Sequence, residues 1–322
     1  MNTSLDKKDE LRIVFMGTPE FAVIILDKLV QYDHNIVGVI TSPDKPAGRG
    51  RKINKSAVKI YAEEKSLTIL QPTNLKDEVF LNELADLKAN LQIVVAFRML
   101  PRVVWEMPAY GTFNLHASLL PNYRGAAPIN WAIINGETET GVTTFFIDDK
   151  IDTGEMILQD KITIADDDSA GTLHDNLMHL GADLVLKTVK QIQNGKVVRT
   201  KQDFNSNVKS APKIHKATCQ IDWNQSVEQV YDHIRGLSPY PTSWTNLMNN
   251  GEEIFLKIYK AKKEKGKPNL KNGQIICTKK EMKVVVKDGY ILLLEIQLPG
   301  KRKMEIHDVL NGLKLAKTAM MV

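Results

Sequence analysis

The first hundred residues contain three short apolar runs separated by polar sequence, and this alternation constrains the fold more than any other feature. The runs are RIVFM (12–16), NIVGVIT (35–41) and QIVVAF (92–97). Each is almost continuously apolar over five to seven residues, which is typical of a parallel strand buried on both faces. Because parallel strands need a crossover between them, usually a helix, the alternation predicts a wound α/β domain with a mainly parallel sheet.

Further segments extend this domain toward the middle of the chain. A helix is predicted over 56–64, and strands over 142–147 and 155–159 are predicted to complete the sheet. A long helix then follows, with Gly195 as its stop signal. Its apolar residues recur at helical spacing: Leu173, Leu177, Leu180, Leu184 and Ile192.

The last hundred residues read as a second, smaller domain. Ser226 and Gln229 form a capping-box pattern that opens a short helix ending at Gly236. Four short strands follow, with Asp288-Gly289 as a hairpin turn between the last two: 254–259, 274–278, 282–287 and 290–296. This pattern favours a small OB-like β-barrel. We therefore predict domains over 1–205 and 217–322, joined by a polar linker over 206–216.

Charge is distributed unevenly between these parts. The chain of 322 residues has a net charge of +5, but residues 211–322 carry +8 and residues 1–210 carry −3. A basic C-terminal third indicates a polyanionic partner, with a solvated lysine-rich surface as the alternative.

The sequence also excludes several classes of protein. No apolar run is long enough to span a bilayer, and the polar N-terminus MNTSLDKKDE has no signal segment. Cys219 and Cys277 form neither a metal motif nor a disulfide framework, so we expect a cytoplasmic protein without a metal and without a membrane partner. We expect a monomer.

Two glycine-containing turns invite ligand-binding interpretations. Gly17 ends the first strand, but Met16-Gly17-Thr18-Pro19 lacks the G-x-G-x-x-G spacing of a dinucleotide site, so no nucleotide is expected there. The segment PAGRGRK (46–52) instead alternates glycine with arginine, which favours contact with phosphates over an ordinary solvated loop.

Asn114, His116 and Asp152 form a candidate catalytic group. Asn114 and His116 are two residues apart, so their side chains share one face of an extended segment. An amide can donate to an oxyanion, an imidazole can move protons near neutral pH, and a carboxylate can orient that imidazole. The set suits acyl transfer to an amine. A structural histidine and, for Asp148 and the following aspartate, a merely charged turn are the alternatives.

These residues lie in stretches that resemble the methionyl-tRNA formyltransferase family, within the wider group of 10-formyltetrahydrofolate-dependent formyltransferases. The matching stretches cover much of the chain: FMGTPEFAV (15–23), TSPDKPAGRGRK (41–52), NLHASLLPNYRGAAPI (114–129), ETGVTTFFIDDKIDTGEMI (139–157) and IDWNQS with IRGLSPYPTSW (221–244). The resemblance implies a Rossmann-like formyltransferase domain followed by an OB-like domain that binds tRNA.

The resemblance also implies the reaction and the roles of residues. A formyl group would pass from 10-formyltetrahydrofolate, a co-substrate, to the α-amine of methionine on initiator methionyl-tRNA for translation initiation, with Asn114, His116 and Asp152 as the catalytic residues. Residues implied to bind the folate are Ser118, Leu119, Leu120, Pro121, Val95 and Asp148. Residues implied to contact the tRNA acceptor end are Arg49, Arg51 and Lys52.

One departure from the family pattern is visible. Many relatives have Ala-Tyr-Gly where this chain has Ala96-Phe97-Arg98, so Arg98 is expected to point away from the pocket or to take a new role. Three other functions compete: formyl transfer to a sugar-nucleotide amine or glycinamide ribonucleotide, nucleic-acid binding without catalysis, and NAD-linked oxidoreduction. The basic loop argues against the first, the catalytic group against the second and the missing glycine fingerprint against the third.

Overall fold

The computed structural model describes residues 10–47, 52–203 and 207–322. They fall into two compact units. The first comprises the described residues of 10–125, 141–162 and 175–210, and the second comprises 126–140, 163–174 and the described residues from 211 onward. The boundaries expected at 205 and 217 stay a prediction.

The secondary structure of the described residues follows one chain order. The helices are α1 (Glu20–Gln31), α2 (Ala57–Glu64), α3 (Glu78–Asp86), α4 (Arg102–Trp105), α5 (Pro128–Ile134), α6 (Ala170–Gln193), α7 (Val227–Gly236) and α8 (Ile306–Gly312). The strands are β1 (Ile13–Gly17), β2 (Ile36–Ile40), β3 (Lys45–Ala47), β4 (Lys52–Asn54), β5 (Ile69–Leu70), β6 (Leu91–Val95), β7 (Thr112–His116), β8 (Arg124–Gly125), β9 (Glu139–Phe146), β10 (Met156–Thr163), β11 (Ser210–Ala211), β12 (Ser243–Asn249), β13 (Glu252–Lys265), β14 (Ile275–Cys277), β15 (Met282–Val286), β16 (Gly289–Gln297), β17 (Met304–Glu305) and β18 (Met320–Met321).

The first unit is built on a seven-stranded sheet in the order β10-β9-β7-β6-β1-β2-β5. β1 lies near its centre, parallel to β2 on one side and to β6 on the other, and β6 is parallel to β7. Every residue of β1 and β6 is buried, as expected for strands covered on both faces. β9 pairs antiparallel to β7. The predicted mainly parallel sheet is confirmed.

Gly17 has a packing reason rather than a nucleotide-binding one. A Cβ at this position would lie 2.5 Å from the Cβ of Ala22 on α1. That helix buries Phe21, Ile25 and Leu26. Only a glycine therefore lets α1 pack this closely against the end of β1.

Helices were predicted unevenly. α2 is confirmed, and the Ser56 hydroxyl caps it by accepting a hydrogen bond from the Lys59 backbone amide at 3.0 Å. α6 is confirmed as well, and Gly195 follows its end with a φ of 63°. α3 and α5 were not predicted. α3 begins where the Asp77 carboxylate accepts hydrogen bonds from two backbone amides, which is a cap the sequence contained.

The second unit contains the predicted barrel. Its strands follow the order β14-β15-β16-β13-β12-β18, with β17 beside β16, and each printed pairing between them is antiparallel. The barrel is nearly closed because the Met321 amide on β18 donates to the Gly273 carbonyl, close to β14, at 2.7 Å. The Ser226–Gln229 capping box opens α7 as predicted. β12 and β18 were not predicted.

Among the residues that the structure describes, no helix combines the length and the apolar character that crossing a membrane requires.

Candidate active site

β7 presents the first two candidate catalytic side chains. Asn114 and His116 alternate with Phe113 and Leu115, which are buried in the apolar core. The two polar residues therefore share one face of the strand, as predicted. Within the described chain, the Asn114 amide makes no printed hydrogen bond to another residue, so its N–H groups remain available to a ligand.

His116 is held at one ring nitrogen and open at the other. Its side chain is 7% exposed, and Nε2 lies 2.8 Å from the Tyr123 carbonyl oxygen. A carbonyl only accepts hydrogen bonds, so Nε2 carries a hydrogen and donates it. In the neutral ring, Nδ1 then has the lone pair. The nitrogen that can take up a proton is consequently Nδ1.

Asp152 lies beside that nitrogen. Its Oδ2 is 3.8 Å from His116 Nδ1 and accepts a hydrogen bond from the Gly125 backbone amide at 3.0 Å. The distance to the ring is too long for a hydrogen bond, so the carboxylate acts on the imidazole through its charge. The structure thus brings together two residues that are 36 positions apart in the sequence.

The turn that carries Asp152 has a constrained backbone. Asp152 has a φ of 55°, in the left-handed region. A Cβ on Gly154 would lie 1.6 Å from the Phe146 carbonyl oxygen, so only glycine fits there. Asp148 Oδ1 accepts hydrogen bonds from the Lys150 amide at 3.0 Å and from the Thr153 hydroxyl at 2.7 Å. The Asp148 side chain therefore stabilises this turn, as the charged-turn alternative predicted.

The segment predicted to bind folate forms a turn after β7. Ser118 is fully buried and its hydroxyl donates to the Asn122 carbonyl at 2.7 Å. The Thr143 hydroxyl lies 3.2 Å from the Leu120 amide and donates to the Ser118 carbonyl at 2.6 Å. Ser118 thus shapes the turn through its hydroxyl. Val95 is fully buried at the end of β6 and pairs with Leu115.

Two polar residues near the turn were not among the predicted site residues. Arg124 and Gln202 meet at a single oxygen, because Arg124 Nε and Nη2 donate to Gln202 Oε1 at 3.2 and 2.5 Å. Burial lowers the pKa of the Arg124 guanidinium, while the charges of Asp152 and Asp148 oppose that shift. Gln202 falls in a polar stretch without periodicity, so no sequence signal marked it.

Arg98 points toward a neighbouring loop. Its guanidinium donates to the Thr73 carbonyl at 2.9 Å and to the Pro72 carbonyl, and it lies 5.7 Å from the centre of the Phe97 ring. The residue that departs from the family pattern therefore fastens residues 72–73 to the segment that follows β6.

The basic loop is only partly described. Arg49 and Arg51 lie outside the described residues, and the backbone of Lys52 belongs to β4, which pairs with β3 in a short hairpin. Just before this hairpin, the Asp44 carboxylate accepts hydrogen bonds from Lys59 at 2.6 Å and Gln71 at 2.9 Å. These bonds, led by the one from Lys59, hold the Asp44 pKa below its usual value.

Several lysines of the second unit are paired within that unit. Lys263 and Lys265 lie 2.5 and 3.1 Å from the Glu228 carboxylate, and Lys303 lies 2.8 Å from Glu295. Pairing reduces the charge that these side chains offer to a polyanion.

Comparison with known proteins identifies the family. The formyl transferase model matches residues 11–189, and the model of the formyl transferase C-terminal domain matches residues 213–314. A methionyl-tRNA formyltransferase from Flavobacterium johnsoniae is 59% identical over 97% of this chain and 99% of its own. The chain belongs to the methionyl-tRNA formyltransferase family. Another member, from Bacteroides fragilis, is 55% identical over 98% of this chain and 99% of its own.

Solved structures show the same fold at lower identity. A sugar 3N-formyl transferase, solved in the presence of dTDP and 5-N-formyl-THF, has a TM-score of 0.66 at 22% identity and covers 91% of this chain and 100% of its own. HypX from Aquifex aeolicus, solved with tetrahydrofolic acid, has a TM-score of 0.64 at 18% identity and covers 96% of this chain and 49% of its own. At these identities the likeness concerns the fold alone.

Proposed function

We propose that this protein transfers the formyl group of 10-formyltetrahydrofolate to the α-amine of methionine on initiator methionyl-tRNA, as a cytoplasmic monomer serving translation initiation. The observation that carries the proposal is the His116–Asp152 pair, 3.8 Å apart, in a chain 59% identical over nearly its full length to a protein named for this activity.

His116 is proposed to handle the protons through Nδ1. The Tyr123 carbonyl occupies Nε2–H at 2.8 Å, so the ring gains or loses its mobile proton on the side that faces Asp152. A nearby carboxylate stabilises the imidazolium form. The neutral α-amine attacks the formyl carbon, and the resulting tetrahedral centre must lose a proton from the amine and deliver one to the departing N10. A protonated His116 next to Asp152 suits both transfers, with water as a relay.

Asn114 is proposed to stabilise the oxyanion. Its amide lies on the same face of β7 as His116, two residues away along the strand. A side-chain amide that is already in place when the negative charge develops lowers the barrier without reorganisation. Together with the imidazolium it would provide two donors for one oxygen.

The folate is proposed to bind at the carboxyl ends of β6 and β7. Val94 pairs with Asn114 and Val95 with Leu115, so the end of β6 lies directly beside the catalytic strand. Open α/β sheets bind ligands at this edge. Backbone at Val95 and in the 148–152 turn, together with Ser118, Leu119, Leu120 and Pro121, would line the pterin site.

The tRNA is proposed to bind through basic residues at two places. Arg49, Arg51 and Lys52 would contact the acceptor end, and the charge of +8 over residues 211–322 would attract the rest of the molecule. This basic charge has no evident purpose with a small sugar or ribonucleotide acceptor, which is the alternative that shares the same chemistry.

One assay separates these acceptors. Formyl transfer from 10-formyltetrahydrofolate is measured with methionyl initiator tRNA, and uncharged tRNA and a dTDP-linked amino sugar serve as parallel acceptors. Product on the charged tRNA alone is expected. Product on the amino sugar alone would contradict the tRNA assignment and leave the transfer chemistry standing.

A further inference from the structure

Gln202 makes more contacts with the Asp152 turn than any single residue of the predicted site. Its Nε2 donates to the Asp152 carbonyl at 2.9 Å and to the Gly154 carbonyl at 2.8 Å. Its Oε1 accepts from Arg124. The side chain is 5% exposed, so these bonds replace water rather than compete with it.

The hydrogen-bonding capacity of this amide is fully used. A glutamine amide has two N–H donors and a carbonyl oxygen with two lone pairs. Both donors go to the turn, and the oxygen receives both Nε and Nη2 of Arg124. Few other side chains can donate twice and accept at one end of the same planar group. Glutamate cannot donate in its ionised form, and leucine can do neither.

The segment around Gln202 is anchored independently of the glutamine side chain. The backbones of Thr200 and Met156 exchange two hydrogen bonds of 2.9 and 2.8 Å. The Arg199 guanidinium lies 4.2 Å from the centre of the Phe146 ring. Both anchors lie on the strands that flank the turn, so the segment is a fixed platform from which the amide reaches Asp152 and Gly154.

The turn needs such support. Asp152 has a φ of 55° and is followed two residues later by a glycine that has no room for a Cβ. Left-handed backbone at a non-glycine residue persists when the surroundings fix it. The carboxylate lies 3.8 Å from His116 Nδ1, where a shift of about 1 Å changes the interaction of the two groups appreciably.

We infer that Gln202 is a positioning residue for formyl transfer. Its amide holds the Asp152–Gly154 turn through both carbonyl oxygens, and in this way fixes the Asp152 carboxylate beside His116 Nδ1. The inference rests on the catalytic role proposed for Asp152.

A double-mutant cycle tests it with the full chain. The four proteins are wild type, Gln202→Leu, Asp152→Asn and the double variant, assayed for formyl transfer to methionyl initiator tRNA. Because Gln202 acts through Asp152, Gln202→Leu lowers kcat about 10- to 100-fold in the wild-type background and less than about 3-fold in the Asp152→Asn background. KM for both substrates stays within about twofold of wild type. Gln193→Ala, an exposed glutamine at the end of α6, is the matched control and leaves kcat unchanged.

Hydrogen exchange provides a readout that does not depend on activity. In Gln202→Leu, the backbone amides of residues 152–154 exchange faster than in wild type, while those of β7 keep their protection. If the leucine variant does not fold, Gln202→Glu carries the same expectations, because its carboxylate keeps the contact with Arg124 and cannot donate to the two carbonyls.

Equal losses of kcat in both backgrounds, or unchanged exchange at 152–154, would overturn the positioning role and leave the proposed reaction intact. An Asp152→Asn variant with the wild-type rate is the distinct outcome that overturns the catalytic role of Asp152 and, with it, the inference drawn from that role.

Discussion

Removing the charge of Asp152 is the most direct test of the proposed chemistry. Two unit charges 3.8 Å apart interact by about 4 kcal/mol at an effective dielectric constant of about 20. Each ~1.4 kcal/mol corresponds to a tenfold change in rate, so complete loss of this term would lower kcat by about 10³. Asparagine keeps an oxygen that can accept from the Gly125 amide, and its dipole retains part of the interaction. We therefore expect Asp152→Asn to lower kcat by about 10²- to 10³-fold.

The assay is single-turnover formyl transfer with both substrates saturating, so that the chemical step is observed. KM for methionyl-tRNA should remain within about twofold of wild type, because Asp152 acts on His116 and lies in no basic segment. The ratio of the two rates should also be insensitive to salt. The side chains are 7% and 14% exposed, and ions screen such a pair weakly.

The His116→Ala variant completes the test. If Asp152 acts only through the imidazole, the double variant His116→Ala/Asp152→Asn is no slower than His116→Ala alone. An Asp152→Asn rate within about threefold of wild type, or a rate ratio that disappears at high salt, would refute the electrostatic reasoning.

Three further outcomes are expected. Arg49→Ala raises KM for methionyl-tRNA, and the slope of log affinity against log salt becomes shallower by about 0.7–0.9 for one lost phosphate contact; unchanged formylation would remove the loop from the model. Gly154→Ala lowers both Tm and kcat because its Cβ would lie 1.6 Å from a backbone oxygen, whereas Gly312→Ala, with open space, lowers neither. Burial lowers the pKa of His233 below 6.5, so the folded state binds fewer protons than the unfolded chain. The free energy of unfolding therefore falls as pH drops below 6.5, and this acid sensitivity is smaller in His233→Gln.

The fold was predictable where residues signal locally. Apolar runs such as RIVFM and the Ser226–Gln229 capping box each specify one element through their own side chains, and the structure has those elements at those places. β12 and β18 escaped because they are defined by pairing. β18 is only two residues long and is recognisable as a strand only through its hydrogen bonds to residues 246 and 273.

The candidate site divides in the same way. Asn114 and His116 were found from a spacing of two residues on a strand, and their shared face follows from the backbone alone. The meeting of His116 with Asp152 depends on the antiparallel pairing of β9 with β7, which puts Thr143 opposite His116. The sequence contained both residues, but only the family resemblance connected them.

Gln202 shows where inference from the sequence ends. Its partners are backbone carbonyls 48 and 50 positions away, and a carbonyl oxygen is present at every residue, so the sequence does not show which ones a glutamine meets. Nor does glutamine in a polar stretch differ from its neighbours in composition. A catalytic group is recognisable from its chemistry, whereas the residue that holds its backbone is recognisable only from geometry. The residues that tune such a site are consequently those that the cycle between Gln202 and Asp152 measures and that no pattern predicts.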